Sequence, residues 1–323
     1  MPIACNAVRS SSSVALKRPL LQFSSSAEAF CFRPRHFSGS TASQEWQDTP
    51  SGTAKNLRRS LCYRRCIVTG GYQIAKQLVL NGASAVIIVS RTAAKAQQAI
   101  QDMKKDTGLE DAPLSFAECD FKDLGAFTRV WKMSKQPFDT LINCAGVSQA
   151  QGLLSTSSNA VSEILKVNLE APIELSRQML REYFAYGKSL SKDPKHDSTQ
   201  LPSFCVITIS SLLANRGGYG TSIYSTSKAG LTTFTRTLAL EAAAIRDKYP
   251  ALPPFRANTV VPGYIDTPMI VKFSERQKEK LISEIPVRRY GKAHEVADAV
   301  MFLLSNEYAN NTVLNLDGGL SAI

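Results

Sequence analysis

Tyr224 and Lys228 stand four residues apart in the run Tyr224-Ser225-Thr226-Ser227-Lys228. On a helix that spacing puts both on one face, with Cβ atoms about 5–6 Å apart. A free tyrosine has a pKa of ~10 and is a poor acid or base at neutral pH. A neighbouring ammonium favours the phenolate, so the pair is expected to bring the phenol down toward the working range. Alone this is a weak signal, because tyrosine and lysine meet at this spacing by chance in many helices. Ser211 strengthens it. It closes the apolar run "SFCVITISS" and can donate to a substrate carbonyl oxygen. Asn168, in "VNL", falls inside a helical stretch, where asparagine is a modest helix former tolerated when its amide has bonds to make. Asn143-Cys144-Ala145-Gly146 closes another apolar run with small residues that leave room for a flat ligand, and Asp120 follows a third, able to accept from an adenine amino group.

These residues need elements to hold them. From Cys66 onward, short apolar runs ending in glycine or polar residues alternate with helical spacing. The runs are "RCIVTGG", "SAVIIVS", "PLSFAECD", "FDTLINCAG", "SFCVITISS", "PFRANTVVPG" and "NTVLNLDGG". Long helices are expected over about 157–186 and 224–248. Parallel strands require crossovers, so this alternation predicts an α/β, Rossmann-type, doubly wound parallel sheet as a single domain over 66–323. Ligands bind such sheets beyond the carboxyl ends of the strands, where the candidate residues lie. Two segments break the rhythm: 186–203 reads as a long polar loop, and 265–291 as a lid over the site.

Composition excludes several classes. Apolar residues make up 44% and charged residues 20% of the 323, as in a soluble protein with a full core. No run approaches the ~18 apolar residues that a membrane helix needs. The formal charge of +11 is concentrated upstream: ten of the 38 Lys/Arg and only three of the 27 Asp/Glu lie in residues 1–66. It therefore gives no reason to expect nucleic acid as a partner. Seven scattered cysteines and the distant His36, His196 and His294 offer no metal-ligand spacing. Residues 1–44 are basic, rich in serine and nearly free of acids, the composition of an organelle transit peptide, and no secretory apolar stretch follows the first basic residues. Residues 45–65 read as a linker.

Taken in order, "VTGG", "LINCAGVSQ", "VNL", "ISSLLA", "YSTSKAGL", "VVPGYIDTPM" and "LDGGLSA" make the chain resemble the short-chain dehydrogenase/reductase family over essentially all of 66–323. Within it, the resemblance is strongest to 3-oxoacyl-acyl-carrier-protein reductases, particularly fungal mitochondrial ones, and Arg35-His36-Phe37-Ser38 resembles a mitochondrial processing site. The resemblance implies a catalytic tetrad of Asn168, Ser211, Tyr224 and Lys228. Tyr224 would protonate the carbonyl oxygen, Ser211 would hold it, and Lys228 would lower the phenol's pKa and bond the nicotinamide ribose. Asn168 would organise a proton relay through water. Residues facing the cofactor would be Thr69, Gly70, Gly71, Ser90, Arg91, Asp120, Asn143, Ala145, Gly146, Pro262, Gly263, Ile265 and Thr267, with Tyr224 and Lys228. Arg91, after the second run, suits a 2′-phosphate where relatives that prefer NAD place an acid, so NADP(H) is expected.

One part of the pattern is missing. The family's TGxxxGxG begins at Thr69-Gly70-Gly71, then Tyr72-Gln73-Ile74-Ala75-Lys76 already reads as helix interior. About five residues are absent, two of them the glycines that let a pyrophosphate approach the helix N-terminus. Either a short segment has been lost from this form of the protein, or the chain is truly cofactor-poor. The leading expectation is a homo-oligomeric mitochondrial matrix enzyme that uses NADPH to reduce a β-ketoacyl group on acyl carrier protein. Arg246, Lys272, Arg276, Lys278, Lys280, Arg288 and Arg289 could form a basic rim for that acidic carrier. The alternatives are another carbonyl, steroid or polyol reductase of the family, or a subunit that keeps the fold and binds no cofactor.

Overall fold

The apolar runs become strands and the periodic segments between them become helices. The computed structural model describes residues 61, 64–123, 130–131, 137–149, 151–192, 202–269 and 274–322. The expected leader, nearly all of the linker, and Lys272 lie outside them. In chain order the elements are β1 (Arg65–Thr69), α1 (Tyr72–Leu80), β2 (Ala85–Ser90), α2 (Ala93–Thr107), β3 (Leu114–Glu118) and β4 (Thr140–Asn143). Next come α3 (Ser158–Leu165), a π turn (Lys166–Glu170), α4 (Ala171–Leu190), β5 (Phe204–Ile209), α5 (Leu213–Arg216) and α6 (Ser222–Lys248). The last are β6 (Phe255–Pro262), β7 (Ile265–Asp266), α7 (Glu275–Glu284), β8 (Gly291–Lys292), α8 (Ala293–Ser305) and β9 (Val313–Leu316).

Seven strands form one parallel sheet in the order β3-β2-β1-β4-β5-β6-β9, the Rossmann-type arrangement expected. Both faces are buried because side chains alternate along each strand. Ile67, Leu141 and Val206 face α4 and α6, through Leu175, Met179, Leu238 and Ala242. Their neighbours Cys66, Val68, Ile142 and Ile207 face α1 and α8, through Ile74, Leu78, Val300 and Leu304. Strand order reverses between β1 and β4, which opens a crevice at their carboxyl ends.

At the opposite end of the strands the packed body reaches into the segment read as linker. Leu61 and Arg64 are fully buried. The Arg64 guanidinium bonds the Ser203 carbonyl at 2.8 Å and pairs with Glu307, while Arg256 donates to the Leu303 and Leu304 carbonyls that end α8. The long helix expected over 157–186 is interrupted by the π turn and runs on to Leu190, so it takes up the start of the expected polar loop. Residues 193–201 lie outside the described set. Among the described residues no helix is long and apolar enough to cross a membrane.

The turn from β1 to α1 is two residues long. Gly70 and Gly71 both adopt positive φ, 68° and 66°, and Gly71 is already the N-cap of α1. Only glycine takes these angles without strain. The shortened loop read in the sequence thus takes the form of a two-residue left-handed turn.

Candidate active site

A cavity of about 820 Å³ opens at the carboxyl ends of the central strands. Its wall includes Gly71, Cys144, Gly146, Gln149, Ser211, Tyr224, Lys228, Pro262, Gly263, Ile265 and Thr267. Tyr224 and Lys228 enter from the first two turns of α6, as their spacing required. The Lys228 Nζ sits 6.0 Å from the centre of the Tyr224 ring and donates to the Ile209 carbonyl oxygen at 2.8 Å. Ser211 follows β5 and faces the same cavity as the phenol, where it works to lower the phenol's pKa; its Oγ accepts from the Leu213 amide at 3.2 Å, at the start of α5.

The electrostatics differ from the expectation. Burial raises the Tyr224 pKa above its ordinary value; the Ser211 hydroxyl works against this and Cys144 adds to it. Lys228 does not bring the phenol down. Its own ammonium is nearly solvent-free, and burial lowers it from 10.5 to about 8. It also already bonds a carbonyl, so desolvation governs both groups. The consequence suits one direction of chemistry. The phenol stays protonated at neutral pH, loaded as an acid.

A buried ammonium costs stability, with a definite pH dependence. The unfolded chain holds the Lys228 proton up to about 10.5 and the folded chain only to about 8. The cost is therefore full below 8 and disappears as pH rises through 10.5. Lys228→Met removes the charge at similar length but also the bond to Ile209, so a net gain of about 2 kcal/mol is expected at pH 7. Urea denaturation at pH 7 and pH 10 checks this: the gain should shrink at the higher pH.

Asn168 sits in the π turn and is fully buried. Its Oδ1 accepts from the Val147 amide at 2.8 Å, and its Nδ2 donates to the Val147 carbonyl at 2.9 Å and to Ser227 Oγ at 3.3 Å. A π turn inserted in a helix, common at functional sites, turns this amide onto the loop after β4. Gly146 keeps that junction open: a Cβ there would lie 3.3 Å from Asn168 Oδ1 and 3.4 Å from Lys228 Nζ. The four tetrad positions therefore converge, and Asn168 acts on the walls of the cavity.

The residues expected to face the cofactor do not all reach the cavity. Gly146, Pro262, Gly263, Ile265 and Thr267 line the cavity with Gly71. Thr69 is buried and engaged, its Oγ1 accepting from the Cys144 and Ala145 amides at 3.0 and 3.1 Å. Asn143 turns the other way and donates to Ser176 Oγ on α4 at 3.2 Å. It belongs to the same face of β4 as Leu141, so Cys144 reaches the cavity in its place. Ser90, Arg91 and Asp120 end β2 and β3 outside the cavity wall, with Arg91 and Asp120 exposed. Ala145 packs against Gly70. Residues not singled out as chemical from the sequence also line the cavity, among them Gln149, Leu212, Tyr264, Met269 and Gln277.

The family's nicotinamide cofactor fits one half of this site. Tyr224, Lys228, Ser211 and Gly146 surround enough space for the ring and its ribose. The diphosphate end does not fit. A Cβ on Gly71 would meet Ile74 Cδ1 at 3.2 Å and Cys144 Sγ at 3.3 Å, and one on Gly70 would meet the Ala145 backbone at 3.4 Å. Only Gly70 and Gly71 separate β1 from α1, too few residues to wrap a diphosphate as the full-length glycine loop does.

Comparisons with known proteins agree on the lineage. A family profile described as enoyl-(acyl carrier protein) reductase matches residues 70–321. Carbonyl reductase family member 4 of Xenopus laevis is 30% identical over 262 residues, covering 79% of this chain and 97% of that protein. The 3-oxoacyl-(acyl-carrier-protein) reductase FabG of Aquifex aeolicus is 29% identical over 264 residues, covering 79% and 96%. An Agrobacterium tumefaciens protein assigned as a 2-deoxy-d-gluconate 3-dehydrogenase, solved with bound NADP, superposes with a TM-score of 0.69 at 27% identity, covering 82% of this chain and 99% of that one.

Proposed function

The chain belongs to the short-chain dehydrogenase/reductase family of oxidoreductases, and from that premise we propose that its site is built to reduce a 3-oxoacyl thioester on acyl carrier protein to the 3-hydroxyacyl form, with NADPH as hydride donor. One observation carries the reading. Tyr224 stays protonated beside Ser211, against a cavity whose wall includes the apolar Leu212, Tyr264, Met269 and Val296. A ketone oxygen placed between the Ser211 and Tyr224 hydroxyls receives two hydrogen bonds, which strengthen as negative charge develops on it. When bound, the nicotinamide cofactor supplies the hydride. Tyr224 gives its proton to the forming alkoxide. The apolar wall suits an acyl chain, and relatives named as 3-oxoacyl reductases support the thioester.

The basic rim supports a carrier protein less than the sequence suggested. Lys278 pairs with Glu275, Arg289 with Glu295, and Arg246 bonds the Leu252 carbonyl. Arg288 donates to the Ser283 carbonyl. A second reading, a cofactor-poor subunit, is favoured by the two-residue turn after β1. The test of substrate uses a chain with its loop lengthened. Acetoacetyl thioester on carrier protein should be reduced in preference to free steroid or polyol ketones, and the reverse preference would overturn the assignment.

Arg91 at the end of β2 carries the choice of NADPH. In the lengthened chain, Arg91→Asp should weaken NADPH about tenfold or more, the loss of one charge-assisted bond, and affect NADH less. Equal losses measured by fluorescence titration would mean that Arg91 does not read the 2′-phosphate. For the mitochondrial matrix the support is the leader composition. Residues 1–44 fused to a reporter are expected to carry it into mitochondria, with cleavage near Ser38; a diffuse cytosolic reporter would count against this.

A further inference from the structure

The catalytic helix α6 begins without a cap of its own. Thr221, at its N-cap, directs its Oγ1 to the Gly218 carbonyl at 2.8 Å and to Ser225 Oγ at 2.9 Å, and makes no capping bond. The first amides of a helix have no partner within it. Here Ile223 and Tyr224 find one far away in sequence, on the loop after β4. Gln149 Oε1 accepts from the Ile223 amide at 2.8 Å and from the Tyr224 amide at 3.3 Å. The other end of the same side chain is also tied down. Its Nε2 lies within hydrogen-bond distance of the Gln151 carbonyl at 2.9 Å, Thr156 Oγ1 at 3.2 Å and Ser222 Oγ at 3.4 Å. These acceptors fix which end of the amide faces the helix.

We propose that Gln149 is a positioning residue for the reaction: its side chain is the remote cap of α6 and holds Tyr224 at the depth in the cavity where the phenol acts as acid. The role follows from connectivity. The loop that carries Gln149 begins with Cys144 and Gly146, which line the cavity, and Val147, which Asn168 grips. Through Gln149, this wall and the start of the catalytic helix move as one body. A helix missing its first-turn acceptor frays from that end, and Tyr224 is in the first turn.

The proposal rests on Tyr224 being the acid, so its test reads the phenol directly and needs no turnover. Tyrosine labelled at ring carbon ζ is incorporated into the full chain, with Tyr224→Phe to identify the Tyr224 signal. The groups facing that phenol are Lys228 on its own helix, Ser211 after β5 and Cys144 after β4. Gln149→Met keeps length and removes the acceptor. Amide exchange at Ile223 and Tyr224 should then speed up roughly fivefold or more, as for the loss of one cap. The Tyr224 titration should fall toward the free value of ~10 as water reaches the ring. Gln149→Glu keeps the acceptor and adds a negative charge, so exchange should stay slow while the titration moves up. A side chain that merely fills space would give no opposed shifts. Unchanged exchange and titration in the methionine variant would overturn the proposal. If that variant does not fold, the glutamate variant decides: a raised titration with retained protection supports the cap, and an unmoved titration overturns it. Failure of the functional reading looks different, as normal turnover by Tyr224→Phe in the chain with its loop lengthened.

Discussion

Tyr224→Phe, placed in a chain whose glycine loop has been lengthened, is expected to lose at least ~10²-fold in reduction rate, the low end for general acid catalysis. The change keeps the ring and removes one oxygen with its proton, so packing in the first turns of α6 is preserved. Neither Lys228 nor Ser211 is suited to take over. Lys228 Nζ is held by the Ile209 carbonyl at 2.8 Å and sits beneath the ring. The Ser211 hydroxyl is a far weaker acid, suited to holding the oxygen rather than protonating it. NADPH affinity should be almost unchanged, because the phenol contributes to the chemical step and little to cofactor binding. The check is steady-state turnover with a 3-oxoacyl thioester beside an NADPH titration. Near-normal turnover would reduce Tyr224 to a packing residue.

Lengthening the loop is expected to have the larger effect on binding. Inserting Ser-Arg-Gly-Ile-Gly between Gly71 and Tyr72 replaces a two-residue turn by one able to wrap a diphosphate. In the present chain Gly71 is already the N-cap of α1, and Cys144 and Ile74 crowd the space beside it. At least two backbone donors to phosphate are missing. Hydrogen bonds to charged groups contribute roughly 1.5–3 kcal/mol each. Two of them amount to about 3–6 kcal/mol, a factor of roughly 10²–10⁴ in affinity. The inserted chain should therefore bind NADPH that much more tightly and gain reductase activity with it. Insertion without either gain would mean that something besides the turn obstructs the cofactor.

The sheet was legible because buried parallel strands are written as short apolar runs that nothing else in a soluble chain explains. Each of the seven runs became a strand of the sheet. Ser211 was legible because it closes one of those runs, and Tyr224 and Lys228 because their spacing puts them on one helical face; the four as a set came from the family resemblance. What escaped depended on three-dimensional surroundings. The Tyr224 pKa is set by burial in a cavity assembled from several loops, and the i,i+4 spacing speaks only of its distance from Lys228. Gln149 looks like an ordinary loop residue until the start of α6 is brought to it from more than seventy positions away. Asn143 could have been placed better. Alternation along β4 puts it with Leu141 on the α4 side and leaves Cys144 for the cavity. The π turn at Asn168 has no simple sequence signal; only its consequence, a buried amide with bonds to make, was readable.

The central claim is that this chain joins a complete carbonyl-reducing site to a turn too short for a dinucleotide's phosphates. Direct titration of NADPH into the unmodified full-length chain, followed by cofactor fluorescence, tests it most simply. The account predicts no saturable binding in the micromolar range, and saturation there only after the five-residue insertion. Micromolar binding by the unmodified chain would show that Gly70, Gly71 and the start of α1 already form a working cradle, and would contradict the account.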